Sequence, residues 1–77
     1  MEALRDRALL ESVRTRLMED TRLAGQPIEV TASDGYIQLL GGVDSDDDKT
    51  LAEEIALGVS GVRAVENRLE VRGEAAS

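Results

Sequence analysis

With 16 acidic and nine basic side chains among 77 residues, a net charge of −7 and neither Cys nor His, the chain has no disulfide, thiolate nucleophile, imidazole relay or soft metal site to offer. The acidic balance repels phosphate polyanions, so nucleic acid is not an expected partner. A chain this short makes one domain with one modest core, and with Tyr36 the sole aromatic that core is built from Leu, Ile, Val and Ala.

From Asp6 to about Glu19, Leu9, Leu10, Val13 and Leu17 fall within one arc of a 3.6-residue helix, the stripe that a core-facing helix needs. Arg5 and Arg16 border one side of the stripe, Arg7 and Arg14 the other, while Leu4 and Met18 lie off it. Thr21 to Pro27 ends the helix, with Gly25 suited to a left-handed conformation and Pro27 unable to continue the ladder.

Ile28, Val30 and Ala32 alternate with Glu29, Thr31 and Ser33, the period of a strand with one buried face. Asp34-Gly35 then suits a type I′ hairpin turn, which requires positive φ at both central residues. The return strand, Tyr36 to Val43, places Ile37, Leu39, Gly41 and Val43 inward and Tyr36, Gln38 and Leu40 outward. Gly41 marks a close helix approach or a bulge.

Ser45 reads as a helix N-cap, with Asp46, Asp47 and Asp48 complementing the positive end of the dipole. The second helix runs to about Val59 with Leu51, Ala52, Ile55, Ala56 and Val59 on one face and Leu57 on the solvent side, and Gly58 and Gly61 close it. The last strand, Val62 to Arg72, turns Val65, Asn67, Leu69 and Val71 inward against Glu66, Arg68, Glu70 and Arg72 outward. Residues 73–77 read as a frayed tail, leaving a domain core of about residues 6–72.

The order α-β-β-α-β specifies an α+β two-layer sandwich, a three-stranded sheet with both helices on one face. The right-handed crossover rule sets the third strand parallel to the second and so antiparallel to the first. Strand order within the sheet stays open.

The spacing resembles the bacterial osmotically induced and nodulation-associated domain, BON. The likeness rests on the leading amphipathic helix, Ile28-x-Val30, the hairpin Asp34-Gly35-x-Ile37-x-Leu39-x-Gly41-x-Val43, and the run from Ala52 through Ile55-Ala56, Val59, Gly61-Val62, Val65, Asn67 and Leu69 to Val71. It covers nearly the whole chain, Asp6 to Val71. These are core and turn positions, so they speak for a fold more than for a ligand. The resemblance implies a non-enzymatic module of bacterial envelope proteins, often beside other domains, to which phospholipid or membrane association has been attributed.

Other motifs lose to structural explanations. Asp44-Ser-Asp46-Asp-Asp48 begins like a calcium loop, but Lys49 stands where the turn glycine belongs and Ile55 where a bidentate carboxylate belongs. Gly58-Val-Ser-Gly61 matches a nucleic-acid backbone clamp, yet its inner residues are uncharged and a strand follows at once. Asn67, the polar residue on the inward side of the last strand, is expected to satisfy backbone groups of a neighbouring loop. Glu53 and Glu54 diverge on their helix and have no apolar surroundings to raise a pKa. No catalytic residue, cofactor or metal ligand is expected.

Two binding surfaces remain. The open sheet face offers Tyr36, Gln38, Leu40, Arg68 and Arg72 to a protein partner. The arginines bordering the first helix, Arg5, Arg7, Arg14 and Arg16, offer a contact to a phospholipid surface. The N-terminus lacks the apolar core of a signal peptide, and no run reaches the ~18 to 20 apolar residues of a membrane span. The chain as written reads as soluble; excision from a longer exported or anchored chain stays open.

Overall fold

The structure, a computed structural model, describes residues 2–72. The element order is α1 (Glu2–Glu19), β1 (Ile28–Ser33), β2 (Tyr36–Val43), α2 (Asp46–Leu57), β3 (Ala64–Asn67) and β4 (Glu70–Val71). The architecture is α+β, two helices and a small mixed sheet, as the pattern predicts. The expected tail at 73–77 lies outside the described residues.

α1 starts at Glu2, ahead of the predicted Asp6. Its first residues are good helix formers that need no apolar stripe to extend the coil. Asp6 reaches across to the hairpin, where its carboxylate accepts the Asp34 N–H at 2.9 Å. Val13 and Leu17 are fully buried and Leu9 packs beside them.

The segment after α1 is an ordered coil. The Asp20 carbonyl accepts the N–H groups of Leu23 and Ala24 at 3.0 and 2.8 Å, which turns the chain once more and drops Leu23 into the core at 0% exposure. Gln26 then ties this coil to the start of α2. Its amide nitrogen donates to the Arg22 carbonyl at 2.7 Å and to the Asp48 carboxylate at 3.0 Å, and its oxygen accepts the Asp44 N–H at 2.8 Å.

β1 and β2 pair antiparallel from Ile28↔Gly41 to Ser33↔Tyr36. Asp34 (φ 54°) and Gly35 (φ 86°) both adopt positive φ, as the type I′ turn requires. Gly41 is needed for a reason other than the predicted helix approach or bulge. Its φ is +109°, the pairing with β1 stays one to one, and a Cβ there would run into the Pro27 carbonyl.

α2 is capped by Ser45, whose hydroxyl accepts the Asp48 N–H at 3.2 Å, and Asp46, Asp47 and Asp48 occupy its first turn. Ala52 and Ala56 are fully buried, letting α2 lie close to the sheet. Small residues at this contact allow the short approach.

The predicted continuous strand from Val62 to Arg72 is two short strands, both parallel to β2 in one register: Tyr36↔Ala64 to Leu39↔Asn67, then Gly42↔Glu70 and Val43↔Val71. The interruption at Arg68 and Leu69 has a visible cause. It lies opposite Gly41, whose φ of +109° turns the β2 backbone out of the regular ladder; the Arg68 N–H still reaches the Leu39 carbonyl, so the Leu69 N–H faces the outer edge of the sheet, where the Asn67 side-chain oxygen accepts it at 3.2 Å. Because the register is kept, Leu69 still points inward and is buried. β2 is thus the central strand, with β1 on one side and β3 followed by β4 on the other.

Candidate functional site

Tyr36, Gln38 and Leu40 occupy alternate positions of β2 on the face that neither helix covers. The register sets Thr31 and Glu66 on either side of Gln38. A polar row crosses all three neighbours: the Thr31 hydroxyl donates to Gln38 at 3.2 Å, and the Gln38 amide donates to Glu66 at 3.1 Å. Arg68 lies 3.7 Å from Glu66, and its own N–H donates to the Leu39 carbonyl at 2.8 Å. Exposed pairs of this kind contribute at most about 1 kcal/mol, so the row organises side chains without locking them.

The structure therefore brings four of the five predicted face residues into one patch and places Arg72 at its far end. The stem of Arg72 lies over Gly42, where it would meet a Cβ, and its guanidinium reaches Asp44 at 3.4 Å. Tyr36 is 53% exposed and Leu40 half-buried. One participant escapes local sequence reading: the Arg63 guanidinium sits 5.9 Å from the centre of the Tyr36 ring and 3.8 Å from Asp34. A cation over that ring face is weakly attractive at an exposed site.

The four arginines of α1 do not form one patch. Arg5 faces the hollow between the start of α1, the hairpin tip and the α2–β3 loop, whereas Arg14 lines a groove against β1. Helical spacing sets Arg5 and Arg16 on one side of the stripe and Arg7 and Arg14 on the other. All four are exposed, and none makes an ion pair among the described residues. Leu4, just ahead of Arg5 in sequence, is 70% exposed.

The hollow at the hairpin tip is wide open, and its carboxylates have structural employment: Asp6 on the Asp34 N–H, Asp34 beside Arg63. In the acidic run that leads into α2, Asp44 is engaged by Arg72 and Asp48 by Gln26. Among the described residues no group of three or more acidic side chains converges to hold a metal ion. Gly58 and Gly61 shape the α2–β3 connection, where Gly58 caps the helix in an ordinary right-handed conformation and only Gly61 needs positive φ. Asn67 satisfies a backbone group as expected, but one of a helix in place of a loop: it donates to the Lys49 carbonyl at 2.8 Å and to Glu53 at 3.2 Å, both in α2, and so fastens β3 to that helix. Among the described residues Asp20 is the one carboxyl clearly displaced from its ordinary range, lowered by the hydrogen bonds from the Arg22 side chain and backbone. No described helix is long and apolar enough to cross a membrane.

Comparison with known proteins agrees with this framework. The family model for the BON domain matches residues 5–73. Osmotically-inducible protein Y of Escherichia coli (strain K12) is 34% identical over 67 residues, covering 87% of this chain and 33% of that protein. An uncharacterized protein of Deinococcus radiodurans is 38% identical over 58 residues, 75% of this chain and 23% of its own length. Among solved structures, the C-terminal domain of CdsD, the structural protein of the type III secretion system of Chlamydia trachomatis, superposes with a TM-score of 0.71 at 16% identity, over 87% of this chain and 33% of that one, a likeness of fold alone. The chain spans a third or less of each of these relatives. With the family model matched from the second turn of α1 to the end of β4, the chain belongs to the BON domain family.

Proposed function

We propose that this domain is a non-catalytic docking module that presents its open sheet face to a protein partner. The observation that carries the reading is the row Tyr36, Gln38 and Leu40 on the central strand, uncovered by either helix and bordered by Arg68 and Arg63. An exposed aromatic and a half-buried leucine beside arginines have the composition of an interface centre, where Tyr and Arg are enriched. Membership of the BON domain family, to which the sequence resemblance attaches a non-enzymatic binding role, supports a binding role over a catalytic one. The test is affinity capture from the source bacterium with a Tyr36→Ala, Arg68→Glu double variant. Loss of co-purifying protein with an unchanged circular dichroism spectrum is the expected result; capture equal to that of the unaltered domain rejects this face.

A second reading, peripheral contact with phospholipid, draws on Leu4 standing exposed beside Arg5 and Arg7 on the first turns of α1. Its signature is flotation with anionic vesicles at low salt that disappears as salt screens the arginines. A protein that stays at the bottom of the gradient at low salt excludes it.

A further inference from the structure

We infer that the free edge of β1 is a strand-addition site, taking an extended peptide segment whose apolar residues alternate with polar ones and which carries an acidic side chain against Arg14. The backbone groups of β1 point alternately toward β2 and away from it. Ser33 and Tyr36 close a two-residue turn as a hydrogen-bonded pair, so every second residue back along β1 faces β2. The Gly42 N–H donating to the Pro27 carbonyl at 3.0 Å is the last rung of that ladder. Val30 and Ala32 therefore direct both N–H and C=O away from β2, and no backbone or side-chain group among the described residues receives them. Four unpaired groups at strand spacing fit the backbone of another extended segment.

The side chains of the same residues point to the same occupant. Ile28, Val30 and Ala32 face the helix layer, yet each is only half-buried, while Ile37 and Leu39 on the neighbouring strand are no more than 1% exposed. α1 lies along β1 without closing over its outer side and leaves a groove lined by Leu10, Arg14, Ile28, Glu29 and Val30. An added strand would set its inward residues over that groove. Nothing blunts the edge from within: the inward positions carry no charge, and the register is regular from Ile28 to Ser33.

Charge decides between a partner's segment and a second copy. Two copies paired edge to edge about a two-fold axis would bring the Arg14 sides of their α1 helices together, like charge against like charge. A foreign strand with Glu or Asp on its inward side meets Arg14, which has no ion pair among the described residues, and avoids that repulsion.

The site is separate from the open face, and the test separates them. The probe is an end-capped eight-residue peptide alternating with threonine, its inward set having valines in the middle and glutamates at both ends, titrated into the ¹⁵N-labelled domain. The expected result is shift changes confined to β1 and at least tenfold slower amide exchange at Val30 and Ala32. Peptides N-methylated on alternate residues complete it: methylating one set abolishes binding, whereas methylating the other set leaves it intact. Arg14→Glu weakens the glutamate peptide at least fivefold, and a peptide with lysines in those places recovers on that variant. Tyr36→Ala with Arg68→Glu leaves the affinity unchanged. Three outcomes overturn the inference: shifts absent or centred on Tyr36, equal binding of both N-methylated peptides, or Val30 and Ala32 already protected in a species of doubled mass without peptide.

Discussion

Leu23 carries more of this fold than its place between two helical stripes suggests. It is fully buried because the Asp20 carbonyl collects the N–H groups of Leu23 and Ala24 and turns the coil inward. Replacing it with alanine removes a packed side chain from a core that has no aromatic to spare. Leu23→Ala should cost about 2–5 kcal/mol in urea unfolding; Leu4→Ala, at a site 70% exposed, should stay within about 0.5 kcal/mol. A small effect at Leu23 would mean that this coil is not seated in the core. The same corner sets a titration. The Arg22 guanidinium and backbone N–H hold the Asp20 carboxyl below the ordinary aspartate range. With the folded value under the unfolded one, the contribution of the pair is present above the ordinary range and fades as pH falls through the lowered value. Arg22→Gln, which keeps the backbone N–H, should move the Asp20 titration part of the way back up in carboxyl ¹³C NMR. An unmoved titration would count against the side-chain bond.

At the scale of elements, the break between β3 and β4 shows what local pattern carries and what it does not. Inward and outward residues alternate without interruption from Val65 to Val71, because the register against β2 is the same on both sides of the break. Alternation therefore predicts the facing correctly and is blind to the lost ladder bond. That loss lies opposite Gly41, whose positive φ is not visible in period 2, and the Asn67 side chain holds the outward Leu69 N–H beside it. The start of α1 was hidden because its first residues add nothing to the apolar stripe, and the tie from Asp6 to Asp34 spans 28 residues. The hairpin and the Ser45 cap were legible because their signals are contiguous in sequence. The open face followed from strand parity, whereas Arg63 beside Tyr36 depended on how β3 registers with β2. Asn67→Ala tests the junction: the half-buried Leu69 N–H loses its acceptor, and stability should fall by about 1–3 kcal/mol in chemical denaturation. A neutral substitution would show that water or backbone replaces the amide.

For the molecule as a whole, β2 is the hub. It pairs with each of the other three strands, and Ile37, Leu39 and Val43 send its inward side into the core. Opening it requires both sides of the sheet to part, so its amides should be the slowest to exchange, approaching the rate of global unfolding. Residues in the first turn of α1 and the outward N–H groups of Val30 and Ala32 should exchange much sooner. Equal protection across the sheet would contradict a central β2.

The tether from Asp6 to Asp34 fixes the beginning of α1 at the hairpin end of the sheet, whereas Arg72 finishes beside Asp44 at the other end. Any segment joined ahead of Glu2 or after Arg72 would thus leave from opposite poles. Units linked in this manner would follow one another like beads on a thread, with each bead's flanks, Tyr36 on one and Val30 on another, facing away from the thread and free for lateral contacts.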